Sequence, residues 1–150
     1  MKKLLITGAG SYIGTSFENY IKTNFEKEYV IHTVDMIDGS WREKNFSGYD
    51  AVFHVAGIAH SDNGKISAEK EKLYYAVNTD LTVETAKKAK ADGAKQFVFM
   101  SSAIVYGDSA PIGKAKIITA ETPVSPANFY GDSKVQAENG ILSAILASVG

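Results

Sequence analysis

Apolar residues form four short runs along the chain, and longer stretches in which apolar residues recur every three to four positions lie between them. The runs cover residues 4–6, 29–34, 51–55 and 96–100. Each has the length of a strand and is rich in branched or aromatic side chains, which predicts a buried β-strand. Strands that alternate with helices pair in parallel through right-handed crossovers. The pattern therefore predicts an α/β fold with a doubly wound parallel sheet of the Rossmann type.

The intervening stretches predict three helices, over 13–25, 67–91 and from Asn128 or Phe129 to Ser148. Their predicted apolar stripes consist of Ile13, Phe17, Tyr20, Ile21 and Phe25 in the first, Leu73, Val77 and Leu81 in the second, and Val135, Ile141, Leu142, Ile145 and Leu146 in the third. Residues 38–49 show neither period, and we expect Trp41 and Phe46 to pack beneath an irregular segment. Residues 103–129 carry all three prolines and are predicted to be mostly loop.

A glycine-rich turn, TGAGSYIG at 7–14, joins the first strand to the first helix. In this context Gly8 permits a tight turn, Gly10 lets the backbone approach a pyrophosphate, and Gly14 lets the helix pack against the strand. The phosphates would lie at the helix N-terminus. The spacing is not G-x-G-x-x-G; read as T-G-x-x-G-x-x-G, it has Ser11 in place of the middle glycine. A purely structural turn is the alternative.

Polar and small residues follow the other strands, where ligands bind in doubly wound sheets. Asp35 ends the second strand. A carboxylate at this position can accept hydrogen bonds from both ribose hydroxyls and would repel a 2′-phosphate, so Asp35 favours NAD over NADP. The alternative is that Asp35 is a solvated turn residue. Ala56 and Gly57 follow the third strand and allow a ligand close to the backbone. Ser101 and Ser102 follow the fourth.

Three further polar residues have two interpretations each. His54, inside the third strand, is predicted to be a hydrogen-bonded core histidine rather than a ligand. His60, in the loop beyond, is a candidate contact for cofactor or substrate, but a loop histidine without a functional role is the favoured interpretation. Asn78 falls beside the apolar stripe of the second helix, so its amide is satisfied by neighbouring backbone or positions something at the cofactor site.

Tyr130 and Lys134 lie four residues apart at the start of the last helix, and therefore on one face of it. A phenol ordinarily has a pKa of about 10. A neighbouring ammonium and a nicotinamide cation favour the phenolate, which makes such a phenol a proton acceptor for a substrate hydroxyl. Ser102 comes from a strand end beside that helix and is expected to hydrogen-bond the same substrate oxygen. A chance surface pair is the alternative.

Together these motifs resemble the extended short-chain dehydrogenase/reductase family, in particular its nucleotide-sugar epimerases of the UDP-galactose 4-epimerase type. The matching segments are TGAGSYIG at 7–14, FHVAG at 53–57, Asn78, SSAIVYG at 101–107 and YGDSK at 130–134. The resemblance implies an NAD site lined by Tyr12, Ile13, Asp35, Ala56, Gly57 and Asn78. It also implies a catalytic set of Ser102, Tyr130 and Lys134, in which Lys134 also holds the nicotinamide ribose.

The implied activity is epimerisation of a nucleotide sugar: Tyr130 removes a proton from a sugar hydroxyl while hydride passes to NAD and then returns to the other face. The resemblance implies that related sugar 4,6-dehydratases have an Asp-Glu pair directly after the Ser/Thr, which carries out the elimination. Here Ala103 and Ile104 stand at those positions and cannot carry protons, so elimination is disfavoured. A nucleotide-sugar reductase and a non-catalytic nucleotide-binding module remain the alternatives.

Length and composition bound these expectations. The chain has 150 residues, 45% of them apolar, a net charge of −1 and no cysteine. It can build one buried core. Without a basic cluster, cysteine or long apolar segment, we expect no nucleic-acid, membrane or metal partner and a soluble, cytoplasmic protein.

The resemblance implies a protein about twice as long as this chain. We therefore expect residues 1–150 to form an incomplete NAD-binding Rossmann domain, truncated at its C-terminal end, with the C-terminal substrate domain absent and the fragment inactive alone. The resemblance further implies a homodimer through the helices at 67–91 and 129–148.

Overall fold

A computed structural model describes residues 1–59 and 67–147 of the chain. The strands are β1 (Lys2–Thr7), β2 (Tyr29–Val34), β3 (Ala51–His54) and β4 (Phe97–Phe99), and the helices are α1 (Tyr12–Asn24), α2 (Ala68–Tyr74), α3 (Leu81–Ala91) and α4 (Phe129–Leu146). Short 3₁₀ turns occupy Ser40–Arg42 and Ala103–Tyr106. His60 and Ser148 lie outside the described residues.

The four strands form one parallel sheet in the order β2-β1-β3-β4. Helix α1 covers one face, where Phe17 packs edge-on against Phe53 at 4.8 Å between ring centroids. Ala89 of α3 packs with Leu5 and Val52 on the opposite face. These contacts confirm the predicted doubly wound sheet. From β1 the chain continues to β2 on one side of the sheet, and from β3 it continues to β4 on the other side. The crevice between β1 and β3 is therefore the topological switch point, where ligands bind in such sheets.

The irregular segment between β2 and β3 completes the main core. Trp41 and Phe46 are fully buried there together with Met36 and Tyr49, as the sequence predicted. Arg42 places its guanidinium 4.6 Å above the Trp41 ring and pairs with Glu84 of α3. The segment is therefore fixed to the helix that covers it.

The predicted helix over 67–91 is divided by a π-helical segment, Tyr75–Asp80. A π-helical turn contains an extra residue, so it rotates the side chains that precede it relative to those that follow. As a result Leu73, predicted to lie on the apolar stripe, is 51% exposed, whereas Tyr74 is buried. The stripe prediction was therefore wrong at Leu73.

The predicted stripes of α1 and α4 were correct only in part. Ile21 and Ile141 are buried. The exposed members are Ile13, Tyr20, Leu142, Ile145 and Leu146. Of those on α4, Ile145 lines an apolar groove together with Ala144 and with Phe97 of the edge strand β4. Helical spacing identifies apolar faces but does not say which of them this sheet covers.

Two observations bear on the predicted absence of metal and membrane partners. Among residues 1–59 and 67–147, no group of three or more His, Asp or Glu side chains is placed to hold a metal ion. In the same ranges no helix is long and apolar enough to cross a membrane.

Candidate active site

The glycine turn after β1 has a geometry that fits each predicted glycine role. Gly8 adopts φ +106°, and a Cβ there would lie 2.9 Å from the backbone nitrogen of Ala56. Gly10 adopts φ +75° with open space on its side-chain side. At Gly14 a Cβ would lie 3.2 Å from Val55 Cγ2, so the start of α1 packs closely against the end of β3. Larger residues would close this turn at its first and last positions.

Ser11 caps α1, a role that the sequence analysis missed. Its Oγ accepts a hydrogen bond of 3.1 Å from the backbone nitrogen of Gly14, and its φ is −69°. A residue with negative φ needs no glycine, and serine is a favoured N-cap residue. The serine therefore replaces the family's middle glycine without backbone strain. A serine two residues before the predicted helix was the signal for this role, and the observed helix begins one residue earlier than predicted, at Tyr12.

A cavity of about 480 Å³ lies between the glycine turn and the end of β2. Its walls include Gly8, Gly10, Asp35, Met36 and Ala56. Asp35 Oδ1 accepts a hydrogen bond of 2.9 Å from the backbone nitrogen of Ile37, which fixes the carboxylate beside the cavity. Because a carboxylate has about four acceptor positions, capacity remains for the two hydroxyls of a ribose.

A second cavity, of about 430 Å³, brings together residues from four separate parts of the sequence. They are Ser11, Tyr12 and Ile13 from the start of α1, Val55, Gly57, Ile58 and Ala59 after β3, Met100, Ser101 and Ser102 after β4, and Tyr130 and Lys134 of α4. The two cavities share Ser11, Val55, Gly57 and Ile58 as a common wall. A larger cavity of about 570 Å³ lies at the opposite, amino edge of the sheet, lined by Lys2, Asp50 and Lys95, and holds none of the predicted site residues.

Lys134 is buried where α4 meets the end of β4. Its Nζ donates a hydrogen bond of 3.1 Å to the carbonyl oxygen of Met100 and lies 4.8 Å from the centroid of the Phe99 ring. Burial lowers the pKa of Lys134 to about 8, and the negative charge of Glu138 partly opposes that change. The ammonium of Lys134 is therefore close to its titration range at neutral pH.

Tyr130 and Ser102 line the same cavity as Lys134. The ring of Tyr130 packs edge-on against Tyr74 at 6.0 Å between centroids. Ser102 Oγ accepts a long hydrogen bond of 3.4 Å from the backbone nitrogen of Ile104 and caps the 3₁₀ turn there. The three residues predicted to be catalytic thus lie around one cavity; their roles stay predictions.

Asn78 lies within the π-helical segment and is completely buried. Its Oδ1 accepts from the backbone nitrogen of Ile58 at 2.9 Å, and its Nδ2 donates to the carbonyl oxygen of Ile58 at 3.0 Å and to Ser133 Oγ at 3.1 Å. Of the two predicted alternatives, the structure shows satisfaction by neighbouring backbone. A Cβ on Gly57 would be 3.1 Å from Asn78 Oδ1 and 3.3 Å from Lys134 Nζ, so Gly57 lets both side chains approach the segment after β3, although Asn78 itself lines neither cavity.

Ser133 is a second residue that the sequence analysis missed. It is completely buried, its Oγ donates to the carbonyl oxygen of Tyr130, and its own carbonyl accepts from Thr79 Oγ1 at 2.7 Å. Together with the bond from Asn78, these contacts join α4 to the π-helical segment directly behind Tyr130 and Lys134. Ser133 is flanked by Asp132 and Lys134, and this local sequence gave no signal for the contact.

His54 is the core histidine that the sequence predicted. Its Nδ1 and Nε2 lie 2.6 Å from Thr7 Oγ1 and 3.0 Å from Thr82 Oγ1, and its ring stacks on Phe97. Burial, with a smaller contribution from the positive charge of Lys134, lowers the pKa of His54 to about 3. The ring is therefore neutral at physiological pH.

Sequence comparison places these residues in a known family. The model of the NAD dependent epimerase/dehydratase family matches residues 4–147, nearly the whole chain. The chain belongs to this family. Among curated relatives, the UDP-glucose 4-epimerase of Vibrio cholerae is 31% identical over an alignment that covers 95% of this chain and 47% of that protein. UDP-glucose 4-epimerase 2 of Oryza sativa is 36% identical over 75% of this chain and 26% of its own length. The chain thus spans less than half of these relatives.

Solved structures of the epimerase/dehydratase family have the same fold. The UDP-Glc/GlcNAc 4-epimerase of Campylobacter jejuni superposes with a TM-score of 0.75 at 23% identity, over 98% of this chain and 50% of that one. The UDP-glucuronic acid 4-epimerase of Bacillus cereus, solved in complex with NAD, gives a TM-score of 0.72 at 19% identity, over 95% and 52% of the two chains. At these identities the likeness establishes the Rossmann-type fold and leaves the site residues to be argued from geometry.

Proposed function

We propose that this chain forms the NAD-binding and proton-transfer part of a nucleotide-sugar epimerase. The observation that carries the proposal is the pair of cavities with a common wall along the carboxyl edge of the sheet. One contains the phosphate-type glycine turn and a ribose-type carboxylate, Asp35. The other contains a hydroxyl, a phenol and an ammonium from Ser102, Tyr130 and Lys134. A ligand that spans both has the extended shape of a dinucleotide.

The residues present fit NAD. Gly10 has open space where a side chain would be, so the backbone there can approach a ligand closely, whereas the absence of a Cβ at Gly8, Gly14 and Gly57 lets neighbouring parts of the protein pack tightly around the site. The N-terminus of α1 opens onto the second cavity through Tyr12 and Ile13, where the helix dipole favours phosphate. The carboxylate of Asp35 would accept ribose hydroxyls and repel a 2′-phosphate. We therefore assign NAD rather than NADP as the cofactor.

The side chains around the second cavity supply the proton chemistry. When bound, NAD supplies a hydride acceptor that can return the hydride. The phenolic oxygen of Tyr130 takes the proton of the sugar hydroxyl that is oxidised and later returns it. The ammonium of Lys134 stabilises the phenolate electrostatically, and the hydroxyl of Ser102 hydrogen-bonds the sugar oxygen. Ala103 and Ile104 add no proton-carrying group after Ser102, which supports epimerisation over elimination.

The relatives support a nucleotide-sugar substrate, because their names specify UDP-glucose and UDP-glucuronic acid epimerases. Since the chain spans about half of those proteins, residues outside it would complete the sugar pocket in the same way. A reductase that uses the same three side chains would release cofactor in an altered oxidation state at every turnover, whereas an epimerase regenerates NAD. The association of two copies through α3 and α4 stays a prediction.

Titration of the 150-residue chain with NAD tests the proposal. We expect weak binding, with a dissociation constant on the order of a millimolar, because the chain spans less than half of the curated relatives it matches. In an amide-resolved NMR titration, the shifts should concentrate at Gly8, Gly10 and Gly57. Isothermal calorimetry should show that NADP binds more weakly than NAD, and full epimerase activity from this chain alone would contradict the expected incompleteness.

A matched pair of variants locates the ribose contact. Asp35→Asn should reduce the preference for NAD over NADP, since the amide neither repels a phosphate nor accepts two hydroxyls equally well. Asp38→Asn is the control, because Asp38 caps the turn at Ser40 and lies on neither cavity. Absence of any amide shift at millimolar NAD, or an equal effect of the two substitutions, would count against the proposed site.

A further inference from the structure

Two side chains of α4 converge on consecutive residues at the end of β4. Lys134 Nζ donates to the carbonyl oxygen of Met100 at 3.1 Å. One helical turn further on, the carboxylate of Glu138 accepts a short hydrogen bond from Ser101 Oγ. Lys134 and Glu138 lie four residues apart on α4, so they share one face of the helix, and their side chains bond to the adjacent residues Met100 and Ser101.

Glu138 is the acidic group in this arrangement. From β3, His54 faces Lys134, but its ring is neutral because burial keeps the pKa of His54 at about 3. The π-helical segment contributes the amide of Asn78, which carries no charge. Tyr130 comes from α4 itself, and Phe99 of β4 presents its aromatic ring. Among the described residues packed around Lys134, the negative charge therefore comes from Glu138.

We propose that Glu138, held in place by Ser101, is a positioning residue that keeps Lys134 protonated and directed at the cavity. Lys134 is only 6% exposed, and an ammonium removed from water loses its charge readily unless an anion compensates. The importance of a charged Lys134 rests on the proposed function, because the proposed contacts of Lys134 to the cofactor and to the phenolate need the positive charge. The electrostatic contact itself does not depend on that function.

The direction of the coupling follows from the two charges. Burial lowers the pKa of Lys134 to about 8, and Glu138 acts against that change. Removal of the Glu138 charge should therefore lower the pKa of Lys134 further, by roughly one pH unit, the lower end of the range for an opposite charge at close range. Near neutral pH a larger fraction of the molecules would then lose the ammonium.

The test measures the titration of Lys134 by NMR, from the ¹³Cε shifts of labelled lysines in the whole 150-residue chain. The Lys134 signal is assigned by its loss in Lys134→Met. Glu138→Gln preserves the size of the side chain and an acceptor for Ser101, and it is expected to lower the titration midpoint of Lys134 by roughly one pH unit.

A control variant removes a negative charge from the same helix at a position that does not share a face with Lys134. Asp132 lies two residues before Lys134 along α4, and residues at that spacing do not face each other on a helix. Its carboxylate instead accepts a hydrogen bond of 2.7 Å from the hydroxyl of Tyr75. Asp132→Asn keeps an acceptor for that hydroxyl and should leave the Lys134 midpoint nearly unchanged.

A third variant tests the role of Ser101. Ser101→Ala releases the carboxylate of Glu138 and should lower the same midpoint by a smaller amount, with no charge removed. An unchanged Lys134 titration in Glu138→Gln, or equal shifts in Glu138→Gln and Asp132→Asn, would overturn the inference. If the midpoint falls as expected but the wild-type chain shows no amide shifts with NAD, the inference is supported and the proposed function fails. The two outcomes are therefore distinguishable.

Discussion

The buried histidine of β3 makes the stability of the protein depend on pH above the range in which carboxylates titrate. His54 has a pKa of about 3 in the folded chain and an ordinary value of 6.5 when exposed. Between these values the unfolded chain binds a proton that the folded chain excludes, so the free energy of unfolding falls as the pH falls. At pH 5, about 1.5 units below the ordinary value, the loss is about 2 kcal/mol, at about 1.36 kcal/mol per unit.

Urea unfolding at pH 7 and pH 5, followed by circular dichroism, measures this loss. The wild type should lose about 2 kcal/mol over that interval through His54, whereas His54→Gln should lack this contribution because glutamine does not titrate. Glutamine can still hydrogen-bond Thr7 or Thr82, so the variant is expected to fold with reduced stability at pH 7. The carboxylates with lowered pKa, such as those of Asp50 and Asp92, affect stability mainly below this range.

His32→Gln is the matched control, since His32 lies on strand β2 of the same sheet, separated from β3 by β1, with an exposed side chain. It should retain the wild-type difference between pH 7 and pH 5. If His54→Gln loses as much stability as the wild type over this interval, the ring is not excluded from protonation by burial, and the account of His54 as a neutral core residue is wrong.

Two further predictions concern the glycine turn and the proton acceptor. Gly8→Ala should destabilise the fold by about 3 kcal/mol, because it combines positive φ with a Cβ 2.9 Å from the Ala56 nitrogen. Gly48→Ala, at φ +76° in open space, should cost only about 1 kcal/mol. Thermal unfolding of both variants checks this, and equal losses would show that the close contact is unimportant. Tyr130→Phe should leave the affinity of this chain for NAD nearly unchanged, because it removes only the phenolic oxygen, and calorimetry checks this. In a longer protein that contains this chain and epimerises a UDP-sugar, the same substitution should abolish turnover, and retained turnover would refute the proposed proton transfer.

The parallel sheet and the position of the site edge were predictable because both follow from short-range patterns. Strand β2 has the predicted bounds, and the other strands differ by one or two residues at their ends. The glycine turn, Asp35, Gly57, Ser102 and the Tyr130–Lys134 pair had to meet at one edge once the strands were parallel. The geometry at Gly8 and the neutrality of His54 also follow from residue type and place in a strand.

Contacts that depend on helix rotation were not predictable in the same way. The π-helical segment has no distinct sequence signature. It changes the helix rotation so that Tyr74 is buried and Leu73, which the spacing placed on the apolar stripe, is exposed. Which apolar face of α4 is covered depends on the extent of the sheet, so Leu142 was assigned incorrectly to the core. The contacts of Ser133 and Glu138 require the distance between α4 and its neighbours, which periodicity does not contain.

The π-helical segment connects the two halves of the candidate site. Asn78 binds both backbone groups of Ile58, and Ile58 belongs to the wall shared by the two cavities. The same amide donates to Ser133, the residue between Tyr130 and Lys134 along α4. A displacement of Asn78 would therefore move the shared wall and the proposed catalytic face together. In this arrangement the π-helical segment carries the buried amide that bonds both the shared wall and α4, and π-helical turns are frequent at functional sites.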